Sequence, residues 1–187
     1  MKRAGYVLVG GRSSRMGRDK ALLPFRGGLL VQSVAQAVNL AAGSAVLVGS
    51  PRRYGCVGYP ILPDIYPGAG PLGGILSALQ HTTAEWSLIV ACDMPEVSAA
   101  FLSGLLDAAE RGSADILIPA GPSGLLEPLC AAYHRRSRQA LYKAFATGIR
   151  KVTAAFEGIR IVTFPVPELT PFQNVNTPED WAGYAAE

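Results

Sequence analysis

Short apolar runs punctuate the chain, and most are closed by glycine, proline or polar residues. Residues 4–9, Ala-Gly-Tyr-Val-Leu-Val, end at Gly10-Gly11. A continuous apolar run of this length reads as a strand buried on both faces. Residues 45–49, 87–91 and 115–119 read the same way, and residues 128–133 and 160–164 more weakly. Between these runs the apolar spacing changes to that of a helix. Leu30, Val31, Val34, Ala35 and Val38 share one helical face. Leu72, Ile75, Leu76 and Leu79 repeat at i, i+3, i+4 and i+7. Phe101, Leu102, Leu105, Leu106 and Ala109 do so as well, with Ser98 placed to cap the helix start. A last helix is predicted over 178–185, with Thr177 as its cap and Pro178 in its first position.

Strands alternating with helices, with the strands apolar throughout, predict an α/β fold. The expected architecture is a single-domain, mostly parallel, Rossmann-like open sheet with helices on both faces. A length of 187 residues fits one domain, taken as 1–187. The composition is 49% hydrophobic and 17% charged, which excludes intrinsic disorder. A net charge of +3 mildly favours anionic ligands, without the clustered basic face of a nucleic-acid binder. The basic run at 134–138 reads as a solvated helix face.

Three scattered cysteines and two distant histidines argue against a disulfide framework, a structural zinc site or a Ser-His-Asp arrangement. No apolar run is long enough to predict a membrane span. The six apolar residues after Met1-Lys2-Arg3 are too few for a signal peptide. A cytoplasmic protein is expected.

Open α/β sheets bind ligands beyond the carboxyl ends of their strands. Interest therefore falls on residues 10–20, 50–53, 64–74, 92–95 and 174–177. The first of these is the most informative. Gly10-Gly11-Arg12-Ser13-Ser14-Arg15-Met16-Gly17-Arg18-Asp19-Lys20 combines glycines, which let backbone N–H groups approach phosphate oxygens, with four cations. It fits neither the dinucleotide fingerprint nor the P-loop spacing.

Leu8-x-Gly-Gly-x-Ser-x-Arg-Met-Gly-x-Asp-Lys-Ala-Leu-Leu-Pro24 resembles the N-terminal signature of the molybdenum cofactor guanylyltransferases, within the nucleoside-triphosphate transferases. Val9 stands where that family usually has Ala. The resemblance continues in Asp64-x-x-Pro-Gly-x-Gly-Pro-Leu-x-Gly74-Ile75, Cys92-Asp93-Met94-Pro95, Glu127-Pro128-Leu129-Cys130-Ala131 and Asn174-Val175-Asn176-Thr177-Pro178. It implies transfer of GMP from GTP to the phosphate of molybdopterin, with release of pyrophosphate. Leu8, Val9, Gly10 and Gly11 would hold the guanine and ribose end. Arg15, Gly17 and Lys20 would hold the triphosphate, and Arg15, Lys20 and Asp93 would be the catalytic set.

Asp93 follows a buried strand and precedes Pro95, so it is expected to point into the cleft; the alternative is a turn cap. In the resembled family this position binds Mg²⁺, the implied cofactor. Asp64 is at the nucleotide in the family; the alternative is the first residue of a β-turn. Gly70, Gly74, Arg150, Asn174 and Asn176 are implied on the acceptor side. Read alone, Asn-x-Asn-Thr-Pro is a turn and helix cap, and Arg150 an exposed helix residue. Cys92 reads as packing.

The implied partners are GTP, the molybdenum cofactor and cofactor-biosynthesis or molybdoenzyme-chaperone proteins, with neither nucleic acid nor membrane. Two competing readings stay open. One is a nucleotidyltransferase using CTP or a sugar-phosphate acceptor. The other is a non-catalytic nucleotide-binding adaptor. Gly10 leaves room beside the base and favours a purine, and the presence of both Lys20 and Asp93 speaks against the adaptor.

Overall fold

A computed structural model describes residues 2–10, 19–167, 172 and 181. In chain order the elements are β1 (Arg3–Leu8), β2 (Pro24–Phe25), β3 (Gly28–Leu29), α1 (Leu30–Ala42), β4 (Val46–Gly49), α2 (Pro51–Tyr54), β5 (Ile61–Pro63), α3 (Pro71–His81), β6 (Trp86–Ala91), α4 (Ala99–Arg111), β7 (Ile116–Ala120), β8 (Cys130–His134), α5 (Ser137–Ala146) and β9 (Ile161–Pro165). Single 3-10 turns span Lys20–Leu22 and Val152–Ala155.

Seven strands form one sheet in the order β5-β4-β1-β6-β8-β7-β9. Only β8 runs against the others, antiparallel to both β6 and β7. The predicted mostly parallel α/β sheet is therefore the observed fold. Successive residues of each inner strand point to opposite faces. Val7, Leu88, Val90 and Leu117 pack with α1 and α4 on one face. Tyr6, Ile89, Ile116 and Ile118 pack with α3 and α5 on the other. Every residue of β6 is buried, including Ser87, the one polar side chain in an otherwise apolar run.

Local signals set the helix ends. Ser98 Oγ accepts the Phe101 amide at 3.2 Å and caps α4 as expected. Gly70 precedes α3 at φ 75°, a conformation that favours glycine, and Pro71 takes the first helical position. Gly5 lets α1 press onto β1, since a Cβ there would collide with the Ser44 carbonyl oxygen and Val38.

The run at 134–138 is a helix face only in part: it ends β8 at His134, turns at Arg135-Arg136 and enters α5 at Ser137-Arg138. Its arginines are exposed, while Ser137 is buried and bonded to the His134 carbonyl. The helix predicted over 178–185 lies outside the described residues apart from Trp181.

The connections fix where a ligand can lie. After β1 the chain passes through α1 to β4, on one side. After β6 it passes through α4 to β7, on the other side. The carboxyl ends of the adjacent strands β1 and β6 thus border the crevice at the topological switch point. No helix among the described residues is long and apolar enough to cross a membrane.

Candidate active site

The end of β1 reaches the crevice through Leu8, Val9 and Gly10. The Val9 amide donates to the Val48 carbonyl at 3.0 Å, and the Cys92 amide to the Leu8 carbonyl at 3.1 Å. These bonds clamp β1 between β4 and β6 to its last residue. Gly10 then turns at φ 107°, which any side chain would strain. Gly49 supports the same place: its Cβ, if present, would lie 2.6 Å from the Val9 carbonyl oxygen.

Chain returns to the crevice at Asp19, whose carboxylate accepts the Ala21 amide at 3.2 Å and starts the turn that carries Lys20. Lys20 Nζ stands 3.8 Å from Asp93 Oδ2. The two side chains are only 16% and 26% exposed, so the attraction between them is weakly screened. Gly10 and Lys20, from the two ends of one glycine-rich stretch, and Asp93, from after β6, thus meet at one rim. Burial raises the Asp93 carboxyl above its ordinary range, and Lys20 pulls it part of the way back. Cys92 beside it is buried. Burial, with repulsion from Asp93 and Asp19, pushes its thiol up to about 12, so it stays protonated and serves packing.

Glu127 belongs to the same rim; the sequence marks it only as part of a motif, with no role of its own. Because β8 is reversed, the segment entering it lies beside the carboxyl end of β6, and the Ala91 amide bonds the Leu129 carbonyl at 2.7 Å. Burial, and then repulsion from Asp93, raises the Glu127 carboxyl. Among the described residues it has no hydrogen-bond or ion-pair partner. Its backbone is fixed by its amide to the Pro119 carbonyl at 3.0 Å. The Tyr133 hydroxyl holds the next carbonyl, donating to Pro128 at 2.6 Å.

Asp64 does what its turn reading predicts with one oxygen: Oδ1 accepts the Tyr66 amide and the Ser77 hydroxyl, each at 2.9 Å. Gly74 lets the first turn of α3 rest on Leu8, with an added Cβ 3.2 Å from Leu8 Cδ2. Arg150 is drawn to the end of α5. Its guanidinium donates to the Phe145 and Ile149 carbonyls at 2.8 and 2.9 Å and lies 4.0 Å over the Phe145 ring. Phe145 in turn packs on Tyr66, so Arg150 flanks the second glycine loop rather than the Lys20–Asp93 pair. Gly11, Arg15, Gly17, Asn174 and Asn176 lie outside the described residues.

Among the described residues no three His, Cys, Asp or Glu side chains form a metal cage. Asp93 and Glu127 are nonetheless hard oxygen donors on one rim, half withdrawn from water. That donor set fits Mg²⁺, which takes one or two carboxylates and completes its shell with phosphate oxygens and water.

The model of the MobA-like NTP transferase domain matches residues 5–160. The chain belongs to the MobA-like NTP transferase family. The molybdenum cofactor guanylyltransferase of Xanthomonas euvesicatoria is 36% identical over 183 residues, covering 95% of this chain and 92% of that protein. A Clostridium perfringens protein named "Probable molybdenum cofactor guanylyltransferase" is 31% identical, covering 97% and 95%. The solved molybdopterin-guanine dinucleotide biosynthesis protein A of Archaeoglobus fulgidus is 30% identical, with a TM-score of 0.83 over 98% of this chain and 96% of that one. In this MobA-like domain the matched residues run from Gly5, within β1, past β8, and therefore include Gly10, Lys20, Asp93 and Glu127 together.

Proposed function

We propose that the chain transfers GMP from GTP to the phosphate of molybdopterin, releasing pyrophosphate and forming a guanine dinucleotide cofactor. The names of its relatives support the reaction. The observation that carries the reading is the Lys20–Asp93 pair beside Gly10 at the switch point. A cation for phosphate, a carboxylate for metal and a glycine turn for close approach meet where such sheets bind nucleotides.

The nucleotide lies along the end of β1, with Leu8, Val9, Gly10 and Gly11 at guanine and ribose. Arg15, Gly17 and Lys20 hold the triphosphate, and Asp64 borders it. The acceptor approaches the Lys20–Asp93 rim, and Gly70, Gly74, Arg150, Asn174 and Asn176 are assigned to it. Asp93 and Glu127 would hold Mg²⁺, which when bound offsets charge on the α-phosphate and the leaving pyrophosphate.

The reaction is an in-line attack by an acceptor phosphate oxygen on the α-phosphorus: one P–O bond forms as the bond to pyrophosphate breaks. The nucleophile is already ionised, so no side chain has to remove a proton. Lys20 and Arg15 contribute by orienting phosphates and neutralising charge that builds on the leaving oxygens. GTP is a cytoplasmic nucleotide, and the enzyme is assigned to that compartment; its protein partners would be those that supply or receive the cofactor.

The test is a panel of GTP, CTP and ATP with molybdopterin as acceptor, scored for pyrophosphate release. GTP should be preferred by orders of magnitude, as for sites that hydrogen-bond a base edge. Turnover with CTP equal to or above that with GTP rejects the guanylyl reading, and loss of all turnover rejects the catalytic one.

A further inference from the structure

The glycine-rich segment 11–18 is bounded by Gly10 and Asp19, and one buried side chain meets both boundaries. Tyr54, at the end of α2, is 0% exposed. Its hydroxyl donates to Asp19 Oδ2 at 2.7 Å. A Cβ built on Gly10 would lie 3.8 Å from that same hydroxyl, and one on Gly49 would lie 3.4 Å from the ring. Tyr54 therefore stands beneath the crevice, with its polar end against the two points where the chain enters and leaves the segment.

The contact is costly to build unless it does something. A tyrosine ring at this depth needs a partner for its hydroxyl. The partner here is a carboxylate, and the hydrogen bond is charge-assisted. Arg53, the preceding residue, places Nη2 2.7 Å from the same Asp19 oxygen. Asp19 is held on its other side by the Ala21 amide, so its carboxylate is fixed from three directions. The residue after Asp19 is Lys20, whose ammonium faces Asp93. Any freedom gained by Asp19 passes directly to the base of Lys20.

We infer that Tyr54 is a positioning residue for phosphate binding: its hydroxyl, through Asp19, fixes the exit of the glycine-rich segment and aims Lys20 at the metal-binding rim. Tyr54 touches neither nucleotide nor acceptor. Arg53 steadies the same carboxylate from the solvent side. The inference rests on the GTP-dependent reading above and adds the device that sets its triphosphate subsite.

The experiment uses the full chain and the variants Tyr54→Phe, Asp19→Asn and the double variant. Each is assayed for the KM of GTP, for inhibition by inorganic pyrophosphate, for kcat and for urea stability. In Tyr54→Phe the KM of GTP and the Ki of pyrophosphate should rise together, roughly tenfold, the scale of one lost hydrogen bond to a charged group. The fall in kcat should be smaller. In the Asp19→Asn background, adding Tyr54→Phe should change both constants little further, because the two groups act as one.

A hydroxyl serving the core alone would lower the urea midpoint and leave the pyrophosphate Ki within twofold of wild type; that result overturns the inference. So do fully additive effects in the double variant. Should Tyr54→Phe fail to fold, Asp19→Asn alone decides, and an unchanged pyrophosphate Ki there rejects the device. Wild-type protein without GTP turnover would instead reject the functional reading; binding of pyrophosphate by wild type and variants then still tests Tyr54.

Discussion

Asp93 carries a charge that its surroundings disfavour. Burial raises its carboxyl pKa, which Lys20 only partly offsets, and burial and Asp93 together raise that of Glu127. A cation bound between them would relieve both, which is how a site can be primed for metal at the expense of metal-free stability. Asp93→Asn should lower guanylyl transfer on the order of 10²- to 10⁴-fold, the loss of a few kcal/mol of transition-state stabilisation. The same change should stabilise the metal-free protein, in a pH-dependent way. A carboxyl raised in the folded state adds stability that is complete below its unfolded pKa, near 4, and is lost as pH rises through the folded value. The variant lacks this titration. Its urea midpoint should exceed that of wild type at pH 7.5, and the gap should close towards pH 4. A variant less stable at pH 7.5, or a gap indifferent to pH, would contradict the account of Asp93.

At this scale the sequence was informative where one residue type has few uses. A lysine in a glycine-rich loop and an aspartate after a buried strand both met at the rim. Glu127 was hidden for a physical reason. Its position depends on the direction of β8, and an apolar run reads alike in either direction. Asp64 shows the converse, since its turn reading is visible in the structure: Oδ1 accepts both the Tyr66 amide and the Ser77 hydroxyl.

Among the elements, long buried strands and helices with a clear apolar stripe were legible. β5, of three residues, and α2, of four, were not, because neither is long enough to repeat its period twice. Yet α2 carries Tyr54 and Arg53, so a short element holds the Asp19 carboxylate. The seating of α1 on β1 is another feature that only packing discloses. Gly5→Ala would drive a methyl group into the Ser44 carbonyl and Val38. Overpacking of this kind costs about 1–3 kcal/mol. For a chain of this size that lowers the Tm by roughly 2–12 °C. Calorimetry on the purified variant checks it, and an unchanged Tm would mean that α1 is not held so close to the strand.

The whole molecule should report ligand and metal through its stability. A nucleotide that binds only the folded state at 100 times its Kd stabilises it by about 2.7 kcal/mol. With Mg²⁺ present, GTP should then raise the Tm by roughly 5–11 °C. Chelating the divalent cation should remove most of that gain, because Asp93 and Glu127 would again face an anionic ligand without a cation between. An equal shift by GTP in excess chelator would show that the triphosphate is held without metal. The open sheet makes this readout global: the rim joins β1, β6 and the segment entering β8, so a ligand there braces strands that come from distant parts of the chain.

The reversed strand has a consequence for biosynthesis. β8 lies between β6 and β7 in the sheet but follows both in the chain. A ribosome delivers β6, α4 and β7 first, and the buried, largely apolar β6 must wait with one edge unpaired until Cys130 and its successors emerge. An open apolar edge is where nascent chains pair with one another. The strand that closes this edge is also the one that brings Glu127 to Asp93. A polypeptide stalled short of it would lack both its protection against aggregation and half the acidic charge of its rim, so sheet closure and site assembly fall in the same step of synthesis.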